Sequence, residues 1–379
     1  MDTPKTNWPL IALLWTTGLL AAAQFAKLTL TLTDIGAIYP DAPVALAVSA
    51  VSVVGILCGA VAGFVVARIG ARRSVLIAVT LSAAISLIQG LPMSFGLFMA
   101  TRIFEGFGHL LFVVALPTMM ALLAKPADKG VVMGVWGTFF GVAYAVLALF
   151  IGDLVQWGGV QAVYVAHGFA LVAFGPLLYW LLPRVMTPSA PLPNLVSLHR
   201  AIYTTPRYFA PGLGHGIYTS IFIALVAFLP AALDALWLTA VLPLANLSGT
   251  FASGFMARVL PASRLSIVCF ATAGVLFVVL GLTGSTVVAV FALFATGVTA
   301  GANFAAVPEL NQSGEDQARA NGAMAQIGNI GTFSGTPIYA LVVPAGLWGI
   351  VGVSVAICVA GVICAGWAYR SARMSAVSR

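Results

Sequence analysis

Apolar residues fill most of the chain in runs of about 20 residues, and short polar segments separate the runs. A run of that length crosses the ~30 Å hydrocarbon core of a bilayer as an α-helix. The pattern therefore predicts twelve membrane spans, near residues 8–32, 42–66, 74–91, 95–123, 131–152, 160–183, 208–231, 235–257, 265–283, 286–308, 320–343 and 346–368.

The second half of the chain repeats the first at an offset of 191 residues. Pairs that match at this offset include Gly63 and Gly254, Phe64 and Phe255, Arg73 and Arg264, Gly106 and Gly297, and Pro117 and Pro308. Half-chain repeats in a hydrophobic protein are typical of secondary transporters, which bind substrate between two halves. We therefore predict an all-α membrane protein of two pseudo-symmetric six-helix bundles, residues 1–190 and 191–379, joined by a proline-rich linker.

Composition and charge agree with this prediction. The chain is 61% hydrophobic and 7% charged, whereas about a quarter of the residues of a soluble domain are charged. Lys and Arg follow the even-numbered spans, and the odd-numbered spans are followed only by acids, namely Asp34, Asp41, Asp153 and Asp234. Because cytoplasmic loops collect Lys and Arg, we expect both termini to be cytoplasmic, in a bacterial inner membrane. The net charge of +7 then reflects topology, and nucleic-acid binding is not expected.

Other classes of protein have little support in the sequence. Residues 10–26 resemble a signal peptide, but they correspond to residues 201–217 in the repeat, so their removal would delete a helix that the symmetry requires. No nucleotide-binding motif and no metal-ligand spacing is present, so we expect neither an enzyme nor a cofactor. The four cysteines all lie within apolar runs and are expected to serve packing.

Two segments carry a family resemblance. The loop after the second span has Gly63, Arg68, Gly70, Arg72 and Arg73, and it resembles the G-x-x-x-D-R-x-G-R-R loop of the major facilitator superfamily. The fourth span has Arg102, Gly106 and Gly108, similar to the R-x-x-x-G-x-G signature of that family. The resemblance implies alternating access, with spans one, four, seven and ten lining a central cavity.

The chain departs from the family pattern in two places. Ala67 stands where the family loop has an acid, so the charge contact attributed to that acid must be weaker or built otherwise. Candidate replacements are Asp128, Glu309, Glu315 and Asp316. The fifth span lacks the Gly-Pro pair of the family's antiporter motif, which favours uptake over drug efflux.

Polar residues inside the spans are the candidates for function, because ionisable groups are costly at membrane depth. They form single-faced stripes on the four spans expected to line the cavity. The stripes contain Gln24 and Lys27; Arg102, Glu105 and His109; His215 and Tyr218; and Thr299 and Asn303. Helical depth predicts that Lys27, Arg102 and Glu105 meet. Two cations and one acid leave one positive charge, which a bound anion would balance.

We assign proton coupling to Glu105 with His109, or with His215 in place of His109, and substrate binding to six residues. The six are Lys27, Arg102, Gln24, His215, Tyr218 and Asn303. Two simpler alternatives are an intrahelical Arg102–Glu105 ion pair and a Lys27 side chain that reaches the membrane surface.

These assignments predict a monomeric, proton-coupled transporter that takes up a small organic anion or zwitterion across the lipid bilayer. The alternatives are a proton-driven exporter of amphipathic compounds and a non-transporting sensor on the same fold.

Overall fold

The computed structural model describes residues 5–184 and 194–377, and this part of the chain is helical, without strands. Fourteen α-helices follow one another, with short 3₁₀ turns at Pro126–Asp128 and Val343–Ala345. They are α1 (Trp8–Leu30), α2 (Leu32–Ile38), α3 (Ala45–Ile69), α4 (Ala71–Gln89), α5 (Phe95–Leu122), α6 (Lys129–Gly137), α7 (Phe139–Leu181), α8 (Leu195–Tyr203), α9 (Pro206–Ala232), α10 (Leu238–Met256), α11 (Ala262–Thr283), α12 (Thr286–Leu310), α13 (Gly314–Ala340) and α14 (Gly346–Val377). The predicted boundary after residue 190 lies outside the described residues.

Side-chain caps fix several helix starts. Asn7, Ser94 and Ser313 each precede a helix, and each side chain accepts a hydrogen bond from a backbone N–H of the first turn. Such caps satisfy donors that have no partner within the helix. The polar residues between the apolar runs therefore set where α1, α5 and α13 begin.

Nine helices of the described chain are long and apolar enough to cross a membrane by length and composition. Helix α7 is one of them, yet it contains two arms separated by non-helical backbone at Gly158 and Gly159. Gly159 has φ of +70°, a conformation that glycine adopts without steric cost. The first arm of α7 continues the span that α6 begins, and the second arm forms the next span. Helix α7 therefore contributes to two spans. Helices α10 and α13 carry more polar residues and complete the twelve-span, two-bundle architecture.

The sequence repeat is also a structural repeat. Helices α4 and α11 begin at Ala71 and Ala262, and α5 and α12 begin at Phe95 and Thr286, so both pairs start 191 residues apart. One difference concerns the first span of each bundle. Helix α1 ends at Leu30 and a short α2 follows, whereas α9 runs without interruption to Ala232.

Glycines let the two bundles approach closely along two seams. In the first seam, a Cβ built on Gly63 of α3 would lie 2.8 Å from the carbonyl oxygen of Ala318 on α13. In the second seam, a Cβ built on Gly254 of α10 would lie 2.8 Å from Cα of Val131 on α6. The repeat-related glycines Gly63 and Gly254 therefore make corresponding contacts with the opposite bundle. Small residues on a helix face allow such a close approach of two backbones.

Polar contacts join the bundles at one end of the molecule, which we call the basic end because it carries Arg68, Arg72, Lys125, Arg258 and Arg319. Asn321 donates to Thr118 at 3.0 Å, and Arg258 lies 3.2 Å from Asp128. The opposite end, which carries Asp34, Asp41, Asp153 and Asp234, is called the acidic end. The two bundles are thus closed against each other at the basic end.

Asp128 is the centre of the contact at the basic end. The Thr6 hydroxyl donates to its carboxylate at 2.7 Å, and Lys125 lies 3.6 Å away. The Thr6 hydrogen bond, followed by the charges of Lys125 and Arg258, holds the pKa of Asp128 below its ordinary value. Asp128, one of the acids considered as a replacement for the missing acid at Ala67, therefore does contact the second bundle.

Candidate functional site: a buried ion cluster in the first bundle

Three charged side chains meet inside the first bundle, and none of them has exposed surface. Lys27 Nζ lies 2.7 Å from Glu105 Oε1, and Arg102 pairs with Glu105 Oε2. Lys27 is on α1, while Arg102 and Glu105 are on α5. The acid therefore joins two helices, and the predicted meeting of these three side chains is present in the structure.

Oxygen and nitrogen acceptors surround the Lys27 ammonium. Its Nζ donates to Ser86 Oγ and Gln89 Oε1, both at 2.9 Å, and lies 3.4 Å from His167 Nδ1. The ring of Tyr164 lies below it, with 4.6 Å between Nζ and the ring centroid. Lys27 is thus enclosed by α4, α5 and α7 and does not reach the membrane surface, which excludes the surface-anchor alternative for this conformation.

Arg102 is held by backbone oxygens as well as by Glu105. Its guanidinium donates to the carbonyl oxygens of Gln24 at 2.9 Å and Ala47 at 3.1 Å. Its second terminal nitrogen, Nη2, is buried and has no hydrogen-bond partner among the described residues. The cluster holds two cations and one anion, so its net charge is +1 when the histidines are neutral.

His109 connects the cluster with more accessible surface. Its Nδ1 lies 3.1 Å from both the carbonyl oxygen of Ala21 and Oε1 of Gln24, and its ring packs edge-on against Phe25. Gln24 in turn donates to Ser82 at 2.7 Å. Among the five charged or polar residues predicted for this bundle, His109 is the one that retains partial exposure.

Helix α4 supplies cluster residues that sequence reasoning missed. Ser82, Ser86 and Gln89 contact Gln24, Lys27 and Glu105, respectively. Their spacing of four and then three residues places them on one face of α4. The signal was therefore present in the sequence, on a helix that is not one of the four expected to line the cavity.

The predicted site residues of the second bundle have only uncharged partners, in two separate sets of hydrogen bonds. Tyr218 donates to Asn246 at 2.8 Å, and Asn303 accepts from Ser266 and Tyr369, both at 2.8 Å. His215 packs against Phe304, is partly exposed, and its Nδ1 has no hydrogen-bond partner in the described chain. No hydrogen bond or ion pair between described residues joins this set to Lys27, Arg102 and Glu105.

The repeat shows how differently the two cores are built. At the offset of 191 residues, Lys27 corresponds to Tyr218 and Glu105 to Thr296. Asn246 bridges these two counterparts, donating to Thr296 at 3.2 Å. One fold position thus holds an ion pair in the first bundle and uncharged hydrogen bonds in the second.

An aromatic side chain is also buried in the first bundle. Trp136 is fully buried and stacks on Phe139 at 4.2 Å. A glycine at position 18 makes room for the Trp136 ring.

Comparison with known proteins agrees with the fold and the repeat. The family model of the Major Facilitator Superfamily matches residues 10–336, so the chain belongs to this superfamily. It is a membrane transporter and not an enzyme. No curated protein sequence matches the chain.

Solved structures of transporters share the fold at low sequence identity. The human organic anion transporter MFSD10 (TETRAN) has a TM-score of 0.74 at 15% identity, covering 94% of this chain and 98% of the other. The E. coli fucose:proton symporter FucP has a TM-score of 0.73 at 15% identity, covering 96% and 99%. The proton:xylose symporter XylE has a TM-score of 0.71 at 17% identity, covering 95% and 94%. At these identities the likeness concerns the fold.

Proposed function

We propose that this transporter couples the uptake of a small organic anion or zwitterion to protons by alternating access. The observation that carries the proposal is the buried cluster of Lys27, Arg102 and Glu105, with its net positive charge. Ionisable groups buried in spans are costly and mark ion or proton pathways. The names of two neighbours, a fucose:proton and a proton:xylose symporter, support proton coupling, and that of a third supports an anionic substrate.

The positive charge acts on the substrate through its field. Lys27 and Arg102 have no exposed surface, so a solute does not touch them in this conformation. A charge in a low-dielectric core is nevertheless felt at several ångströms. His109 is partly exposed and lies one helical turn from Glu105. An anion beside His109 would therefore lower the energy of the uncompensated charge.

Two histidines are the best candidates for direct contact with the substrate. His109 and His215 are partly exposed, and they lie on the fourth span of one bundle and the first span of the other. The Nδ1 of His215 is buried and has no hydrogen-bond partner among the described residues, so a ligand that reached the ring would supply the missing partner. Loss of a hydrogen bond to a charged group costs about 1.5–3 kcal/mol, so His215→Ala should weaken binding roughly 10- to 150-fold.

Uptake into proteoliposomes tests the function. A thermal-shift screen of small carboxylates, with neutral and cationic analogues as controls, first identifies a ligand that stabilises the folded protein. Uptake of that ligand should increase with an inward proton gradient and fall when a protonophore collapses the gradient. Gradient-independent uptake would contradict proton coupling, and stabilisation only by cations would contradict the anion assignment.

We also propose that the basic end is cytoplasmic in a bacterial inner membrane. The positive-inside rule supports this orientation. Single cysteines at the basic and acidic ends, in a cysteine-free background, can be labelled from outside intact cells with a membrane-impermeant thiol reagent. Labelling of the basic end instead of the acidic end would reverse the orientation.

A further inference from the structure

Lys27 has surroundings that suit a group exchanging a proton. Every contact of its ammonium group described above comes from within the first bundle, from α4, α5 and α7. The side chain has no exposed surface. A transported solute therefore does not reach Lys27 in this conformation, but a proton needs only a chain of water or polar groups.

The charges that face Lys27 can be counted helix by helix. Helix α5 presents Glu105 and Arg102, α7 presents Tyr164 and His167, and α4 presents only neutral side chains. His167 Nε2 lies 2.9 Å from the carbonyl oxygen of Leu20. A carbonyl oxygen only accepts, so Nε2 carries the hydrogen, and the lone pair of the neutral ring at Nδ1 faces Lys27.

This count identifies which group can change its charge at least cost. Arginine keeps its proton in proteins. If Glu105 took up a proton, two cations would remain in the core without an anion, which is unfavourable. If Lys27 released a proton, the neutral pair of Arg102 and Glu105 would remain. Lys27 is therefore the member of the cluster whose deprotonation leaves an uncharged core.

A cavity lies between Lys27 and the acidic end of the molecule. It has a volume of about 120 Å³ and lies between α2, the α4–α5 loop and the start of the second arm of α7. This volume is enough for several water molecules. Two of its lining residues, Gln89 and Tyr164, contact Lys27 directly. One layer of side chains thus separates the cavity from the ammonium group.

We propose that Lys27 takes up and releases the transported proton, and that this cavity is its route to the acidic end. The proposal rests on the proton coupling proposed above, and it moves the coupling site from Glu105 to Lys27. In the release step the Lys27 ammonium gives one proton to a water molecule that enters from the cavity past Gln89 and Tyr164, and becomes a neutral amine. The water carries the proton back to the cavity, and uptake is the reverse. An anion beside His109 and a proton on Lys27 stabilise one another, which by linkage favours their movement together.

Nuclear magnetic resonance of the lysine side chains tests the proposal with the proton itself as ligand. The chain has four lysines, Lys5, Lys27, Lys125 and Lys129. The triple variant K5R/K125R/K129R keeps every charge and leaves Lys27 as the single lysine in an intact cluster. With ¹³C-labelled lysine in lipid nanodiscs, one Cε signal is followed from about pH 5 to about pH 10, a range that lies below the ordinary lysine pKa of about 10.4.

The Lys27 signal should change over the same pH interval in which proton-driven uptake changes. A signal that stays constant across that interval would overturn the proposal. The two proposals fail separately. Gradient-driven uptake with a constant Lys27 signal would refute Lys27 as the proton site and leave proton coupling intact, whereas a titrating Lys27 without gradient-driven uptake would refute the coupling.

A cavity-filling variant tests the route. Gln161 lines the cavity, and Gln161→Trp should fill it. Exchange of the Lys27 amine hydrogens with water, measured from the line widths of their signals, should become slower. The matched control is Leu177→Trp, at an exposed position of the same helix away from the cavity. Equal exchange rates in the two variants would exclude the cavity as the route.

Discussion

At the scale of single residues, burial and pairing decide what the charged groups can do. Helical spacing in the sequence predicted that Lys27, Arg102 and Glu105 meet, and the structure confirms the meeting. The sequence did not predict that α4 and α7 fully enclose the cluster. Periodicity reveals which residues share a helix face, but it does not reveal which neighbouring helix that face contacts.

The charge balance of the cluster predicts unequal effects for its members. Glu105→Gln leaves Lys27 and Arg102 in the core without an anion, and breaking a buried pair in this way costs about 3–5 kcal/mol. Lys27→Met leaves the neutral Arg102–Glu105 pair and should cost less. Thermal unfolding in detergent should therefore give a lower Tm for Glu105→Gln than for Lys27→Met.

The double variant provides the control for this prediction. Glu105→Gln combined with Lys27→Met removes one charge of each sign and leaves Arg102 alone. Its Tm should lie above that of Glu105→Gln, because one of two unbalanced cations is gone. A Tm for Lys27→Met as low as that of Glu105→Gln would contradict the charge count.

At the scale of helices, glycine positions determine how closely the bundles pack. Gly55, Gly59 and Gly63 recur every four residues on α3, and all three face α13. The break between α6 and α7 and the early end of α1 at Leu30 were not predicted. Neither break has a proline at the point of interruption, so local sequence gave no strong signal for them.

A methyl group at Gly63 should separate the bundles at the basic end. The Gly63→Ala Cβ would meet the backbone oxygen of Ala318 at 2.8 Å, so α3 or α13 must move. We expect faster maleimide labelling of Thr118→Cys, in a background without the native cysteines, because Thr118 is buried beside Asn321 in the closed form.

Gly152→Ala is the matched control for the seam. Gly152 lies within α7, and a Cβ there would have no neighbour within 4 Å. Alanine is the better helix former by about 0.5–1 kcal/mol, so this variant should label at the rate of the parent and unfold at an equal or higher temperature. If Gly63→Ala also labelled at the parent rate, close approach at Gly63 would not hold the bundles together.

At the scale of the whole molecule, one ion pair between described residues joins the two bundles across the basic end. Arg258 and Asp128 belong to different bundles, and Arg258 is half exposed. An exposed pair of this kind contributes at most about 1 kcal/mol. Asp128→Asn should therefore increase Thr118→Cys labelling only a few-fold at neutral pH and low salt.

The pH dependence of this contact has a defined sign. Because the pKa of Asp128 is lowered in the folded protein, the contact is fully present above the ordinary carboxyl pKa of about 3.9. It is lost as the pH falls through the lowered value. The Thr118→Cys labelling rate of the parent should remain below the rate of the Asp128→Asn variant until the pH is below about 4. Equal labelling at neutral pH would show that the pair does not hold the closed form.

The repeat explains why the ion pair lies on one side of the molecule only. At the offset of 191 residues, Arg258 corresponds to Ala67 and Asp128 to Arg319. The second seam thus has a cation and an acid, while the first has an alanine and a cation. The sequence revealed the missing acid at Ala67, but the pairing of Arg258 with Asp128 required the contact between α10 and the turn before α6.

An acid at position 67 should therefore create the second, symmetry-related pair. The Arg319 guanidinium lies over the Phe64 ring, 5.1 Å from the ring centroid, and Phe64 is one helical turn from Ala67 on α3. The Nε of Arg319 is buried without a hydrogen-bond partner in the described part of the chain. Ala67→Asp should slow Thr118→Cys labelling by stabilising the closed basic end, and should slow transport if reopening of that end limits the cycle. Ala67→Asn, of equal size and without charge, should have neither effect. Adding Arg319→Gln to Ala67→Asp should restore the parent labelling rate, and slow labelling that persisted in that double variant would show that the new acid acts without Arg319.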